Sequence, residues 1–317
     1  MKKGVIISLI VAGCLLVTGA VLVAVAGASV NWDFANLSNT EYESKTVEVG
    51  ESFKNISINV ETTDILFEPS DGKECKVVYY DSEKAEYSVK VSEDTLVIKT
   101  SDDSKWYERI ALFASSGPKM TVYLPEKEYK SLTVSSNTAD ADIPGSFTFE
   151  TVQLIGDTSD FKCSARVTES LTVKTSTGDI DIASPEAGRT EIAATTGDIK
   201  INGVKAKSDM SINTSTGDIK LTDTVISNSL SIESTTGDVR FDGSDAGTIT
   251  VKTTTGDVEG TLLSDKVFVT STSTGDVKVP SSDMGGKCEI TTTTGDINIK
   301  IAKSASSYST PDSAKNQ

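Results

Sequence analysis

The chain has 317 residues, with 46 Asp plus Glu against 30 Lys plus Arg and a formal charge of −16. That balance argues against nucleic-acid partners, whose phosphates need a basic face. The absence of histidine removes Ser-His-Asp and Cys-His catalysis and His-ligated zinc, and four cysteines without C-x-x-C spacing leave no zinc-ribbon or thioredoxin-type motif.

Residues 1–3, with Lys2 and Lys3, are expected to form a cytoplasmic end. Residues 4–30 carry no charge and exceed the ~20 residues needed to cross a bilayer core as a helix. Lysines before the span and Asp33, Glu41 and Glu43 after it orient the amino terminus toward the cytoplasm and the bulk of the chain outside. Two other fates are open. Ala26-Gly27-Ala28 reads as a signal-peptide cleavage site, but the apolar stretch is longer than the usual 7–15 residues. Val11-Ala12-Gly13-Cys14 resembles a lipobox that would place a lipid on Cys14, but apolar sequence runs on where a polar tether belongs. The reading adopted is an uncleaved single-pass anchor, then a linker over 31–45.

Residues 46–130 hold most of the aromatic side chains, among them Phe53, Phe67, Tyr79, Tyr87, Trp106 and Tyr129. This region is expected to form irregular β-structure and first coils that cap the membrane-proximal end.

Over 131–301 a repeat dominates. Thr-Gly-Asp occurs seven times, with Asp at 179, 198, 218, 238, 257, 276 and 296. Apolar residues recur one and, except at Gly260, three positions after each Asp, as in Ile199/Ile201 and Ile219/Leu221. They recur eight and six positions before it, as in Leu230/Ile232 and Ile249/Val251. Glycine-free copies surround Asp64, Asp140 and Asp160. Before Asp276 the pair Val267/Val269 lies one residue early, as a bulge would produce. Each unit reads as two short strands of alternating polarity joined by a corner at Thr-Gly-Asp, where glycine supplies the permissive backbone. Units of 19–20 residues cannot bury their own apolar face and must stack. The predicted fold is all-β, a parallel β-solenoid (β-helix), right-handed by preference, with its coils stacked in sequence order. Residues 302–317 are expected to be a disordered tail.

The repeated S/T-T-G-D-[IV] coils, the N-terminal span and Trp32-Asp33-Phe34 just after it resemble the DUF4097 family of candidate bacterial cell-surface adhesins. That resemblance implies a β-strand-repeat solenoid outside the cell and carries over no catalytic residue. The expected function is a non-catalytic surface interaction module, an adhesin or envelope scaffold, held by the membrane and facing a surface protein or glycan. The alternatives are an accessory of envelope-stress sensing and a polysaccharide-active β-helix enzyme. For the enzyme, every carboxylate that stands out is a repeat residue, and the solenoid lacks aromatic platforms for sugars.

No catalytic or cofactor-binding residue is expected. The candidate metal ligands are Asp179, Asp198, Asp218, Asp238, Asp257, Asp276 and Asp296, which a parallel stack lines along one edge, where Ca²⁺ would relieve their repulsion. The competing reading is a turn in which each aspartate bonds its own corner, its charge solvated and relieved by Lys200, Lys220, Arg240 and Lys278. The spacing matches neither the EF-hand loop nor the glycine-rich calcium nonapeptide. The Thr-x-Thr pairs, such as Thr214/Thr216, fall by parity on the core side, as internal threonine ladders rather than a flat exposed array.

Overall fold

The computed structural model describes residues 43–72, 74–81, 86–100 and 119–302; the expected anchor at 4–30, Cys14 and the tail from 303 lie outside the described residues. Among the described residues there is no helix, and none therefore is long and apolar enough to cross a membrane. The chain winds as a β-solenoid with two main parallel ladders. The residues before each aspartate build one ladder, as where Met210–Thr216 pairs with Ala187–Thr196 and with Val225–Thr236. The residues after it build the other, as where Ile219–Thr222 pairs with Ile199–Asn202 and with Val239–Thr255.

The alternation of the repeat drives this. Ile192, Ile212, Ile232 and Val251 meet in register, as do Ile199, Ile219, Val239 and Val258. All eight are buried, forming one continuous core between the ladders. Burying each such side chain is worth about 1.5–3 kcal/mol, and only stacking provides that burial.

The corner is longer than the sequence suggests. Thr175, Thr214 and Thr253, four before the aspartate, are buried, but Thr177, Thr216 and Thr255 are exposed. The Thr-x-Thr pairs are thus split, one hydroxyl inside and one out, because the chain leaves strand alternation two residues before the aspartate. The corner glycines, such as Gly217 at φ 139°, then turn it. A second corner, five residues after the aspartate, has left-handed Gly203, Asp223 and Gly243 at φ 66°, 47° and 62°.

Among the described residues, antiparallel pairing is confined to the amino-terminal end. Glu43–Val49 pairs with Cys75–Asp81, that strand with Met120–Leu124, and Tyr87–Ser92 with Thr95–Thr100. Glu43–Lys45, placed in the linker by sequence, already belong to the first of these strands. Tyr129 stacks between Phe53 and Phe149, with ring centroids 6.0 and 5.6 Å away, joining this end to the regular coils.

Stacking departs from sequence order at both ends. Asn55–Val60 lies between Thr95–Thr100 and Glu128–Ser136, so the first coil is tucked inside a later one. At the carboxyl end Gly286–Thr294 lies between Val239–Thr255 and Lys266–Thr274. The Asp296 coil is therefore inserted beneath the Asp276 coil, which becomes outermost. The reason is polarity. The inserted coil turns Cys288, Ile290, Ile297 and Ile299 into the core, whereas its rival has Thr270 in register with Ile290. The expected bulge at Val267/Val269 is absent: Phe268 and Thr270 hold the template positions, and the two valines point outward.

Cys75, Cys163 and Cys288 are free and buried, and burial pushes each thiol up to about 12. Since the thiolate is the reactive form, peptide mapping after iodoacetamide at pH 8 should show these three unlabelled in the native chain and labelled in denaturant.

Candidate functional site

Two longitudinal features flank the Thr-Gly-Asp corner. The first is an aspartate ladder. The backbone N–H of each aspartate donates to Oδ1 of the aspartate one coil below: Asp198 to Asp179 at 2.8 Å, Asp218 to Asp198 at 3.0 Å, Asp238 to Asp218 at 2.9 Å. The chain of bonds begins at Asp64 and runs through Asp140 and Asp160 to Asp257. It then passes to Asp296 at 2.7 Å and only afterwards to Asp276 at 2.8 Å, following the inserted order. All seven candidate ligands share this one ladder. The aspartate thus bonds the next coil, not its own turn, which corrects the expectation of a self-contained corner.

The remaining backbone groups of the corner are also paired. Gly217 N–H donates to the Thr236 carbonyl and Ile219 N–H to that of Asp238. These bonds leave the second carboxylate oxygen of each aspartate outward. Lys119 stands below the first rung, 3.7 Å from Asp64 Oδ2, and Lys278 lies 3.9 Å from Asp276. Arg240, expected to relieve the ladder, instead pairs with Glu259 at 2.6 Å. Burial, followed by the charges of Asp64 and Asp160, holds the Asp140 carboxyl above its ordinary 3.8, against the lowering effect of the Asp160 N–H. A raised folded-state value means that ionising Asp140 opposes folding, so its contribution improves as pH falls through that range. Among the described residues, no three Asp, Glu or Cys side chains converge as a metal cage.

The second feature went unread in the sequence. A groove of about 580 Å³ runs along the rod axis across six coils, between the residues five and three before each aspartate. One wall carries Ile155, Lys174, Ala193, Asn213, Glu233 and Lys252; the other carries Asp157, Ser176, Thr195, Ser215, Thr235 and Thr254. Its floor is backbone, because the intervening Thr175, Ala194, Thr214, Ser234 and Thr253 point inward and are buried. The groove follows from the long corner, which turns two successive residues outward and leaves a furrow beside them. A signal was present in the unbroken row of Ser and Thr three before each Thr-Gly-Asp aspartate, where no bulky side chain fills the furrow.

Comparison with known proteins places the chain. It is similar in structure to a "putative adhesin" from Bacteroides fragilis at 13% identity and a TM-score of 0.48, covering 82% of this chain and 97% of that one. A "putative adhesin" from Parabacteroides distasonis gives 12% identity and 0.43, over 82% and 98%. A "putative lipid binding protein" from the same species gives 16% and 0.41, over 81% and 97%. No curated protein matches. The family described as Toastrack DUF4097 matches residues 53–240 and 208–313, nearly the whole described solenoid, and the chain belongs to that family.

Proposed function

We propose that this chain is a non-catalytic surface interaction module, an adhesin or envelope scaffold, that holds an extended glycan strand along its groove. The apolar segment 4–30 anchors it, with the antiparallel end nearest the membrane and the rod outside. Its coils wind right-handed, the hand that parallel β-connections adopt.

The observation that carries this reading is the groove itself. It is open, runs perpendicular to the strands, and repeats hydroxyl groups at about the 4.8 Å inter-strand spacing. Asp157 and Glu233 balance Lys174 and Lys252 along it, so a chain of charge −16 presents a neutral furrow there. Such a surface suits a long, uncharged, hydroxyl-rich polymer better than a compact charged ligand. Non-catalytic action is supported by the ladder, whose Oδ1 atoms are engaged by backbone N–H groups, and by the absence of histidine.

The test is titration of the full chain with purified cell-wall polysaccharide, comparing wild type with Ser215→Trp and Thr235→Trp, which fill the furrow from outside. We expect at least tenfold weaker binding, with Tm within about 2 °C because both positions are exposed. Equal binding by these variants would remove the groove from the proposal.

A further inference from the structure

The two ends of the rod are finished differently. At the amino-terminal end the edge strands are antiparallel additions that carry Glu43, Lys45, Glu48 and Lys90, the charges by which edges resist further pairing. At the carboxyl end the outermost strand is Lys266–Thr274, paired on one side with Gly286–Thr294 and, among the described residues, with no strand on the other. From 267 to 274 it reads Val-Phe-Val-Thr-Ser-Thr-Ser-Thr, with no charge, Pro or Gly. The first three residues of this run are apolar on both faces, and the rest of the strand is Ser and Thr. Val267 and Val269 point outward, 36% and 49% exposed, while Phe268 points inward but is only partly covered. Val277, in register with fully buried Ile297, is 43% exposed, with no strand stacked above it among the described residues. A stretch apolar on both faces, as 267–269 is, is the pattern of a strand enclosed on both sides.

The terminal strand is anchored for this role. Lys266 Nζ reaches Asp245 Oδ1 at 2.7 Å, with both side chains nearly buried, and so ties the outermost coil to a strand beneath the inserted one. The edge is a fixed template rather than a frayed end.

We infer that this edge takes a second copy of the same chain, tip to tip, with Lys266–Thr274 pairing antiparallel with itself about a two-fold axis. Charge selects this occupant. The chain as a whole carries −16 and repels its copies along its sides, whereas residues 263–280 hold Asp265, Lys266, Asp276 and Lys278 and sum to zero. The tip is the face where two copies meet without that repulsion. A two-fold contact must be self-complementary, and a run of Val, Phe, Thr and Ser laid against its reverse opposes only apolar and hydroxyl side chains. Pairing over the whole strand is centred on Thr270, so it sets Phe268 opposite Thr272 of the second copy and covers it. With the proposed anchor at the opposite end, such a pair would join two facing membranes.

Sedimentation equilibrium of the full chain in detergent, at concentrations up to about 100 µM, reads this directly. The expected result is a dimer for wild type. Val269→Lys, an outward change on the edge itself, should weaken it at least tenfold with Tm unchanged. Thr291→Lys, outward and exposed on the inserted coil, should leave it intact. A monomeric wild type overturns the inference. So does a dimer indifferent to Val269→Lys, which would place association in the 4–30 segment. A monomer that dimerises only when cut after Ala302 also overturns it, since the tail would then be the occupant.

Discussion

Gly217→Ala is expected to be among the most damaging single substitutions in the chain, costing about 4 kcal/mol, the level reached when strain and a backbone clash coincide. The residue sits at φ 139°, where a side chain is disfavoured. Torsional strain alone would cost about 1–3 kcal/mol. Steric contact costs more: a Cβ at Gly217 would lie 2.0 Å from the Gly197 carbonyl oxygen and 2.6 Å from its carbon. Gly237 stands over Gly217 in the same way, and Gly256 over Gly237. Any side chain must therefore push adjacent coils apart and break the bonds between them. Gly203→Ala is the control, left-handed at φ 66° but with open space where its Cβ would go, and should cost only about 1 kcal/mol. Urea denaturation of both variants checks the contrast; equal losses would mean that torsion, not contact, fixes glycine at the corner.

The neighbouring aspartate should behave differently. Asp218→Asn keeps an Oδ1 that can accept the Asp238 N–H and removes one charge from the ladder, so a loss below about 0.5 kcal/mol is expected. Asp218→Ala deletes the acceptor and should cost about 1 kcal/mol, the usual net worth of such a bond. If the outward oxygens instead gathered Ca²⁺, Asp218→Asn would be the damaging change and EDTA would lower the Tm of wild type.

The solenoid was legible because burial imposes one rule on every coil, and the rule is written nine times between Asp140 and Asp296. Ile199, Ile219, Val239 and Val258 announce their register by spacing alone. The same uniformity hid the order of the end coils. A template repeated identically says that each unit stacks on some other unit and is silent on which. What distinguishes them is core polarity, Thr270 against Ile290, together with the outward Val267 and Val269, which spacing alone reads as a bulge. The ladder was similarly half visible: spacing places the aspartates along one edge, but an Oδ1 near a corner can reach its own turn or the next coil. The groove left almost no trace, since it is defined by the small size of outward side chains and by a corner whose length alternation does not reveal.

The inserted order makes an all-or-none prediction. Lys252 and Thr291 are register partners on adjacent coils, both exposed, so their Cα atoms lie about 4.8 Å apart, within the range a disulfide spans. Ser271 follows Lys252 by one repeat in sequence, yet it pairs with the far side of Thr291. That places it two coils from Lys252, about 9.6 Å, beyond the limit of roughly 7 Å. Oxidation should therefore cross-link Lys252→Cys/Thr291→Cys nearly completely and leave Lys252→Cys/Ser271→Cys open. The three native thiols, buried and pushed up to about 12, should not compete. Sequential stacking reverses the two outcomes, because Ser271 would then become the neighbour and Thr291 the distant partner. Ile290→Thr supplies the energetic counterpart. It places a hydroxyl and a cavity in the enclosed coil and should cost about 2–3 kcal/mol, whereas Val269→Thr, on the exposed outer coil, should cost under about 0.5 kcal/mol.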